Sequence, residues 1–475
     1  MLLLSNAGAF SFLGPYASWM DQTKSYHLRG DIGGPMNINE GYRWNMPVIT
    51  YGFERSFLNY FGSNGIAAVE SAIQILNQLP PASLINVTNF PADAWRYNYQ
   101  AHSLNVLDLK STVLSSILEQ MGLAAPERYA FCIRDIVTNG NSYAFFVIQR
   151  NFDPVTVQPS SYVNETLFTY SIFQYSPSLP NGQFCDATEL LVDPLATINT
   201  TVAGFGPGVG VYATNLSRDD VGGLRYLLNG NNVCYENLLP DVQAAGSTTN
   251  LVRSAYRPGI EKVNFAPHPA GALSGEFLPF TNQWTDVYYA GDLPAHQSVE
   301  RITTQPDILF TARDLGGFII INRTDTTNWV NNAALNGNAG GSGPGVIQPP
   351  ILITLNNVGP VRYNSGPFNL DEAASTLIQA WGSFDGSTNP VVTYPSGFVA
   401  FQPSEIRFKL EVGGRTNEFR WFLSGVPYGR FLFETSTNLT SWNTLTTFTN
   451  SGAVFTYSFN SLTNEARRFF RTAPE

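Results

Sequence analysis

The chain has 475 residues and a net charge of −10, with 13% aromatic and only 13% charged residues, about half the usual charged share. That length holds roughly two to four domains with ample apolar content for real cores. Only Lys24, Lys110, Lys262 and Lys409 are lysine and the longest basic run is Arg467-Arg468, which argues against nucleic acid as a partner and against a polybasic membrane patch.

No run of ~18 apolar residues appears, so no transmembrane segment is expected. Met1 to Ala9 reads as the remnant of a signal peptide, Leu2-Leu3-Leu4 leading into Ala7-Gly8-Ala9 as an A-x-A cleavage signal. The chain is therefore expected to be exported, to the cell surface or the medium. Residues 10–45 form an extended N-terminal segment with a turn-rich stretch at Gly30–Gly34 and Pro35. A strand is predicted over 48–53. After a turn at Asn64-Gly65, a helix over 66–78 carries Val69, Ala72, Ile73 and Leu76 at helical spacing and stops at Pro80-Pro81. A second helix spans about 108–122, with Leu109, Val113, Ile117 and Met121 on one stripe and Gly122 as its breaker. Aromatic and β-branched strands follow at 129–136, 143–150 and 166–175. A third helix starts at Ser217, which with Asp220 forms a capping box. It carries Val221, Leu224, Leu227 and Leu228 as its apolar face.

From about 240 helical periodicity fades and Pro/Gly turns recur. Asn336–Gly345 reads as a loop before a strand at 351–355, and a short helix is expected at 370–380. From 405 short strands run to the end, at 407–412, 419–423, 431–435, 454–459 and 468–471, with Phe455, Tyr457 and Phe459 inward. The fold class is an α+β N-terminal domain (46–238), a β-rich middle region (239–404) and a C-terminal all-β sandwich module (405–475).

The order of strand and helices, with Leu216-Ser217-Arg218-Asp219-Asp220-Val221-Gly222-Gly223-Leu224 opening the third helix and Met121-Gly122-Leu123 ending the second, resembles the matrixin-type zinc metallopeptidases of the metzincin group over about 45–235. The resemblance implies a metzincin-like fold with a His-Glu-x-x-His helix. It places the first histidine ligand at Ser115, the catalytic glutamate at Ser116, the second histidine at Glu119 and the third at Ala125. Zinc hydrolysis needs three ligands and a carboxylate base, so these degenerate positions predict no zinc, no other cofactor and no peptidase activity. Glu434-Thr435-Ser436-Thr437-Asn438-Leu439-Thr440-Ser441-Trp442, closing with Arg468-Phe469-Phe470-Arg471, resembles a β-sandwich module found at the C-termini of large exported proteins of environmental bacteria. The whole chain is similar to long exported proteins of such bacteria.

Other constellations were weighed. His27, His102, His268 and His296 are scattered, no G-x-S-x-G elbow is present, and Gly204–Gly210 fits no phosphate-binding loop. Asp219-Asp220 read as first-turn charges favoured by the helix dipole. Asp186, Glu189 and Asp193 offer oxygen ligands for calcium, though a solvated turn is the favoured reading. Trp329, Trp381 and Trp442 could stack on sugars but are expected in cores. Cys132, Cys185 and Cys234 fit no metal spacing. One disulfide, Cys185–Cys234, and three buried thiols are equal alternatives. Asn86, Asn164, Asn199, Asn215, Asn322 and Asn438 are Asn-x-Ser/Thr sites, leaving glycosylation open. The favoured function is an exported structural, adhesive or self-assembling protein, a surface, matrix or fibre subunit that partners itself or cell-surface components. The alternative is an extracellular hydrolase of polysaccharide or peptide, with its site in 239–404.

Overall fold

The computed structural model describes residues 8–28, 30–103, 105–139, 142–174, 184–197, 199–204, 206–246, 251–269, 276–315, 322–325, 328–332, 334–336, 343–357, 360–362, 376–378, 380–386, 392–394, 407–412, 418–424, 430–449, 454–458 and 469–474. Strands hold 42% of residues and helices 19%, so the β-rich expectation holds. Among the described residues, no helix is long and apolar enough to cross a membrane.

The chain divides into two compact units, and the first comprises residues 1–96 and 108–357. Its central sheet runs Asn264–Pro267, Val48–Phe53, Ile308–Arg313, Ile351–Asn356, Asn322–Asp325, the first four strands parallel and the last antiparallel. These strands are rich in β-branched and aromatic residues, as buried parallel strands require. The sheet draws on both sides of the boundary expected at 238/239.

The long helix Arg55–Asn77 packs on this sheet through Phe57, Phe61, Ala68, Val69, Ala72, Ile73 and Leu76. It begins eleven residues before the expected start, and Gly62 (φ 61°) breaks it near the anticipated turn, at a φ that glycine tolerates best. The middle helix, Leu109–Gln120, packs against the long one and is buried on all sides rather than along one stripe. Its hydroxyls bond locally: Ser111 donates both its backbone N–H and its Oγ to Asp108 Oδ2, Thr112 Oγ1 donates to Asp108 O and Ser116 Oγ to Thr112 O. Gly122 ends it at φ 93°, where an added Cβ would meet Tyr42 O at 2.2 Å.

The N-terminal segment is built into this unit. Ser11–Gly14 pairs with Gly34–Met36 on one side and Leu123–Ala124 on the other, so part of the expected turn-rich stretch is a strand. Phe10 and Phe12 are buried against Phe152 and Tyr226. Two hairpins, Cys132–Asn139 with Ser142–Ile148 and Thr166–Gln174 with Cys185–Leu191, enclose Ile133, Ile136, Phe145, Val147, Ile172, Cys185 and Ala187. A five-stranded antiparallel sheet runs Cys234–Asn237, Ser254–Arg257, Phe280–Ala290, Leu293–Thr303, Val242–Ala244. Buried arginines tie it together: Arg43 donates to Glu236 (2.7 Å) and Arg257 forks onto Asp286 (2.8 and 2.9 Å). Guanidinium forks suit such buried pairing better than ammonium groups, which gives the scarcity of lysine a structural use.

The second unit comprises residues 97–107 and 358–475. In it Ala101 and Val106 pack with Ala380 and Phe384. Where a helix was expected over 370–380, Thr376–Ile378 and Ala380–Ser383 are strands, the latter paired with Val392–Tyr394; residues 370–375 and 379 lie outside the described residues. β-branched Thr376 and Ile378 and the buried ring of Trp381 suit a strand better than a helix. The C-terminal strands form two three-stranded antiparallel sheets: Arg407–Val412, Glu418–Ser424, Val454–Ser458, and Asn443–Thr449, Arg430–Ser436, Phe469–Pro474. The strand Asn443–Thr449 was not expected. Phe431 and Phe433 are buried, while Phe459 and the side chains of Phe455 and Tyr457 lie outside the described residues.

Candidate functional site

The four positions that the resemblance would align with a zinc site, Ser115, Ser116, Glu119 and Ala125, lie on or just after the middle helix. Ser115 and Ser116 are buried, and Ser116 Oγ accepts the Asn322 side-chain amide at 2.7 Å. Ala125 is buried against Gly204, where an added Cβ would lie 2.7 Å from the Ala125 Cβ. Glu119 is partly buried, and desolvation with the nearby Asp31 charge pushes its carboxyl up to about 8, against the pull of Arg128. The Arg128 guanidinium forks onto Asp31 (2.5 and 2.9 Å) and donates to Ser25 O. Tyr16 stacks on His27 with ring centroids 3.6 Å apart. Among the described residues no three His, Cys, Asp or Glu side chains are grouped to hold a metal ion.

A second concentration of charge surrounds the start of the late helix, Arg218–Leu228. The capping box is formed as expected: Asp220 N donates to Ser217 Oγ, and Ser217 N donates to Asp220 Oδ2 at 2.8 Å. The dipole reading of Asp219-Asp220 is incomplete, because both carboxylates are buried. Asp220 also accepts the backbone N–H groups of Val202 and Ala203. Glu127, in the short turn Pro126–Tyr129, accepts those of Thr200 and Thr201 at 2.8 and 2.9 Å. Asp219 Oδ2 accepts Ala9 N and Asn164 N, both at 2.6 Å, whereas its Oδ1 has no partner among the described residues. Desolvation raises the proton affinity of all three carboxyls, most of all that of Asp219, and their backbone donors oppose it. Sequence reasoning missed Glu127 and the burial of Asp219. Adjacent acids at a helix start were the available signal, and it pointed to solvent.

The remaining candidates are dispersed. Asp186 and Glu189 lie in the strand Cys185–Leu191, and Glu189 accepts Phe131 N, its carboxyl pushed up to about 9 by desolvation. Asp193 instead caps a turn at Leu195 N. Trp381 is fully buried, Trp329 meets Tyr42 edge-on at 5.0 Å, and Trp442 lies under Arg471, whose guanidinium carbon is 4.2 Å from the ring centroid. Arg471 also pairs with Glu434 at 2.7 Å. Ser436 Oγ and Asn438 Oδ1 accept the N–H groups of the turn between them and Trp442. The separated C-terminal motifs thus build one corner. All three cysteines are free thiols, so the Cys185–Cys234 bond is not formed; Cys185 is fully buried between the hairpins, whereas Cys234 is only half-buried beside Asn232. Asn164 is buried with its amide on Thr200 Oγ1, and the Asn322 amide is held by Ser116, whereas Asn86, Asn199, Asn215 and Asn438 are exposed. In the 239–404 region Asp286 and Asp307 are committed to Arg257 and Arg301. A cavity of about 140 Å³ is lined by Tyr226, Asn232, Cys234 and Asn336 among others, but the Asn336 amide is used on Tyr235.

Comparison with protein-family models, curated proteins and solved structures finds no match to this chain.

Proposed function

We propose that the chain is an exported structural, adhesive or self-assembling protein of the cell exterior. On this reading its N-terminal region is a disused matrixin-type scaffold, and the two C-terminal sheets stack as a sandwich. The observation that carries the proposal is the set of large apolar side chains exposed on the outer faces of the two hairpins. Phe146 and Val137 are 56% and 46% exposed on one, and Phe173 and Leu190 are 50% and 45% exposed on the other. These side chains point away from the core the hairpins enclose. The hairpin Cys132–Asn139/Ser142–Ile148 is a two-stranded sheet whose outer edges have no strand partner among the described residues. Exposed apolar rows and open edges are how strands recruit another chain. The Phe10–Trp19 segment is used within its own unit, where Ser11–Gly14 pairs with Gly34–Met36 and Leu123–Ala124.

Sedimentation of the full chain over a range of concentrations tests the reading. Native chain is expected to assemble, and Phe146→Asp with Phe173→Asp is expected to leave it monomeric while preserving the fold, since both rings are exposed. A native chain that stays monomeric at high concentration and cleaves polysaccharide or peptide would instead support the extracellular hydrolase.

A further inference from the structure

Arg43, Arg128, Arg257 and Arg301 each hold a carboxylate oxygen at 2.8 Å or less. Arg134 and Arg150 hold none among the described residues. They converge instead on Trp19, their guanidinium carbons 4.6 and 6.0 Å from its ring centroid. The indole is half-buried and meets Tyr26 edge-on, with ring centroids 5.3 Å apart. A β-bulge puts Arg134 there. Ile133 pairs with Val147 and Asp135 with Phe146, so Arg134 is the extra residue between them. The insertion lets Ile133 and Ile136 both face the core between the hairpins and leaves Arg134 exposed. Arg150 follows the partner strand Ser142–Ile148. Its Nη1 donates to Gln149 O at 3.3 Å, but its Nε is buried with no partner among the described residues. Desolvation disfavours its charged form, and so does the neighbouring Arg134 charge. Glu40 opposes this without forming an ion pair, and its carboxylate accepts Asn37 N at 2.8 Å. The Asp135 carboxylate is likewise turned to a backbone group, Ile136 N, at 2.9 Å. A guanidinium cannot shed its proton to relieve such a cost, so the pair calls for an anion.

We propose that Arg134, Arg150 and Trp19 form a binding site for the carboxylates of an acidic polysaccharide built from uronic acids. The proposal deepens the adhesive reading of the chain and rests on it. Two guanidiniums offer forked donors of the shape that a planar carboxylate accepts. The indole beside them offers apolar surface to the C–H groups of the sugar ring that carries the carboxylate. An acidic side chain of a protein partner would use the guanidiniums and leave the indole idle, whereas a uronate residue engages both. The bound carboxylate also offsets the repulsion between the two arginines. Because Arg134 is exposed, that attraction is screened by salt.

The test titrates trigalacturonate into the full chain by calorimetry, with maltotriose as a neutral trisaccharide for comparison. Native chain is expected to bind trigalacturonate and not maltotriose, with affinity falling as salt rises. Arg134→Gln and Arg150→Gln are each expected to weaken binding about 10-fold or more, the loss of one charge-assisted contact. Arg134 is exposed, so R134Q is expected to keep the native fold and to report the contact alone. Arg313→Gln, at an exposed arginine paired with Glu54, should bind as native chain does. Failure of folded native chain to bind trigalacturonate overturns the proposal, as does equal binding by native chain and R134Q. A loss in R313Q as large as that in R134Q also overturns it, by showing attraction to any cation of the surface. A chain that ignores trigalacturonate, yet loses self-association on Arg134→Gln, would assign the pair to a carboxylate of a second copy instead. Sedimentation reads assembly separately, so a monomeric chain that binds trigalacturonate through Arg134 would sink self-assembly and leave this site standing.

Discussion

Glu119, which the matrixin-type resemblance would align with a histidine, is an acid that its neighbours hold neutral. Desolvation and Asp31 raise its carboxyl to about 8, so between its ordinary range near 4.5 and 8 the folded chain binds more protons than the unfolded one. Its contribution to stability is therefore fully present at low pH and is lost as pH rises toward 8. Glu119→Gln should flatten that fall and leave the variant the more stable chain at pH 9, measured by urea unfolding across pH. A variant that loses stability equally at pH 5 and pH 9 would contradict this. Since Ser115, Ser116 and Ala125 are buried and offer no imidazole, thiolate or carboxylate to a zinc ion, dialysis against a chelator is expected to leave the melting temperature unchanged. Metal analysis should likewise find less than one zinc per chain. The identities of these four residues were legible in the sequence. The isolation of Asp219 from solvent was not, since its partners Ala9 and Asn164 lie 210 and 55 residues away in sequence.

The end of the middle helix and the start of the late one were read well because their chemistry is local, whereas the start of the long helix at Arg55 was missed. Ser217 and Asp220 lie three residues apart and exchange bonds within one turn, so sequence alone carried the capping box. Ser217→Ala should cost about 1–2 kcal/mol, toward the upper end for a cap, because it removes the hydroxyl that Asp220 N reaches and leaves a buried carboxylate one donor short. Thermal denaturation of the full chain would show the cost, and a change within error would remove the cap from the account of this helix. The middle helix was read less well. A stripe of Leu109, Val113 and Ile117 predicts one buried face, whereas its serines and threonines are also buried, their hydroxyls satisfied by Asp108, by the helix backbone and by Asn322. Polarity misleads where hydrogen bonds close within the interior. The helix expected at 370–380 gives way to strands at Thr376–Ile378 and Ala380–Ser383, where β-branched and aromatic residues favour extended backbone.

At the scale of the molecule, the central sheet runs across the boundary expected near 238, and its pairings could not be seen in the sequence. Parallel strands are joined by long crossings, so their partners are separated in sequence and leave no local mark. Val48–Phe53 pairs with Asn264–Pro267 and Ile308–Arg313, both beyond the expected end of the N-terminal domain. The buried Asp307 carboxylate accepts Thr50 N and Thr50 Oγ1, each at 2.8 Å, and is paired with Arg301. The long helix likewise relies on later chain: Asn77 Nδ2 donates to Phe265 O, and Lys262 Nζ donates to Asn77 O, each at 2.9 Å. A chain ending at residue 238 therefore strips both neighbours from a buried strand, exposes Ile49 and Tyr51, and leaves Thr50 N–H without its acceptor. Each uncompensated group costs about 1–3 kcal/mol, and the lost apolar burial adds more, against a total stability of only about 5–15 kcal/mol for a typical domain. The 1–238 fragment should consequently show no cooperative melting and should be digested rapidly by protease, whereas the same chain extended to residue 357 regains every strand of the sheet. Cooperative unfolding of 1–238 at a melting point near that of the longer chain would show that the N-terminal region does not need the sheet partners it has here.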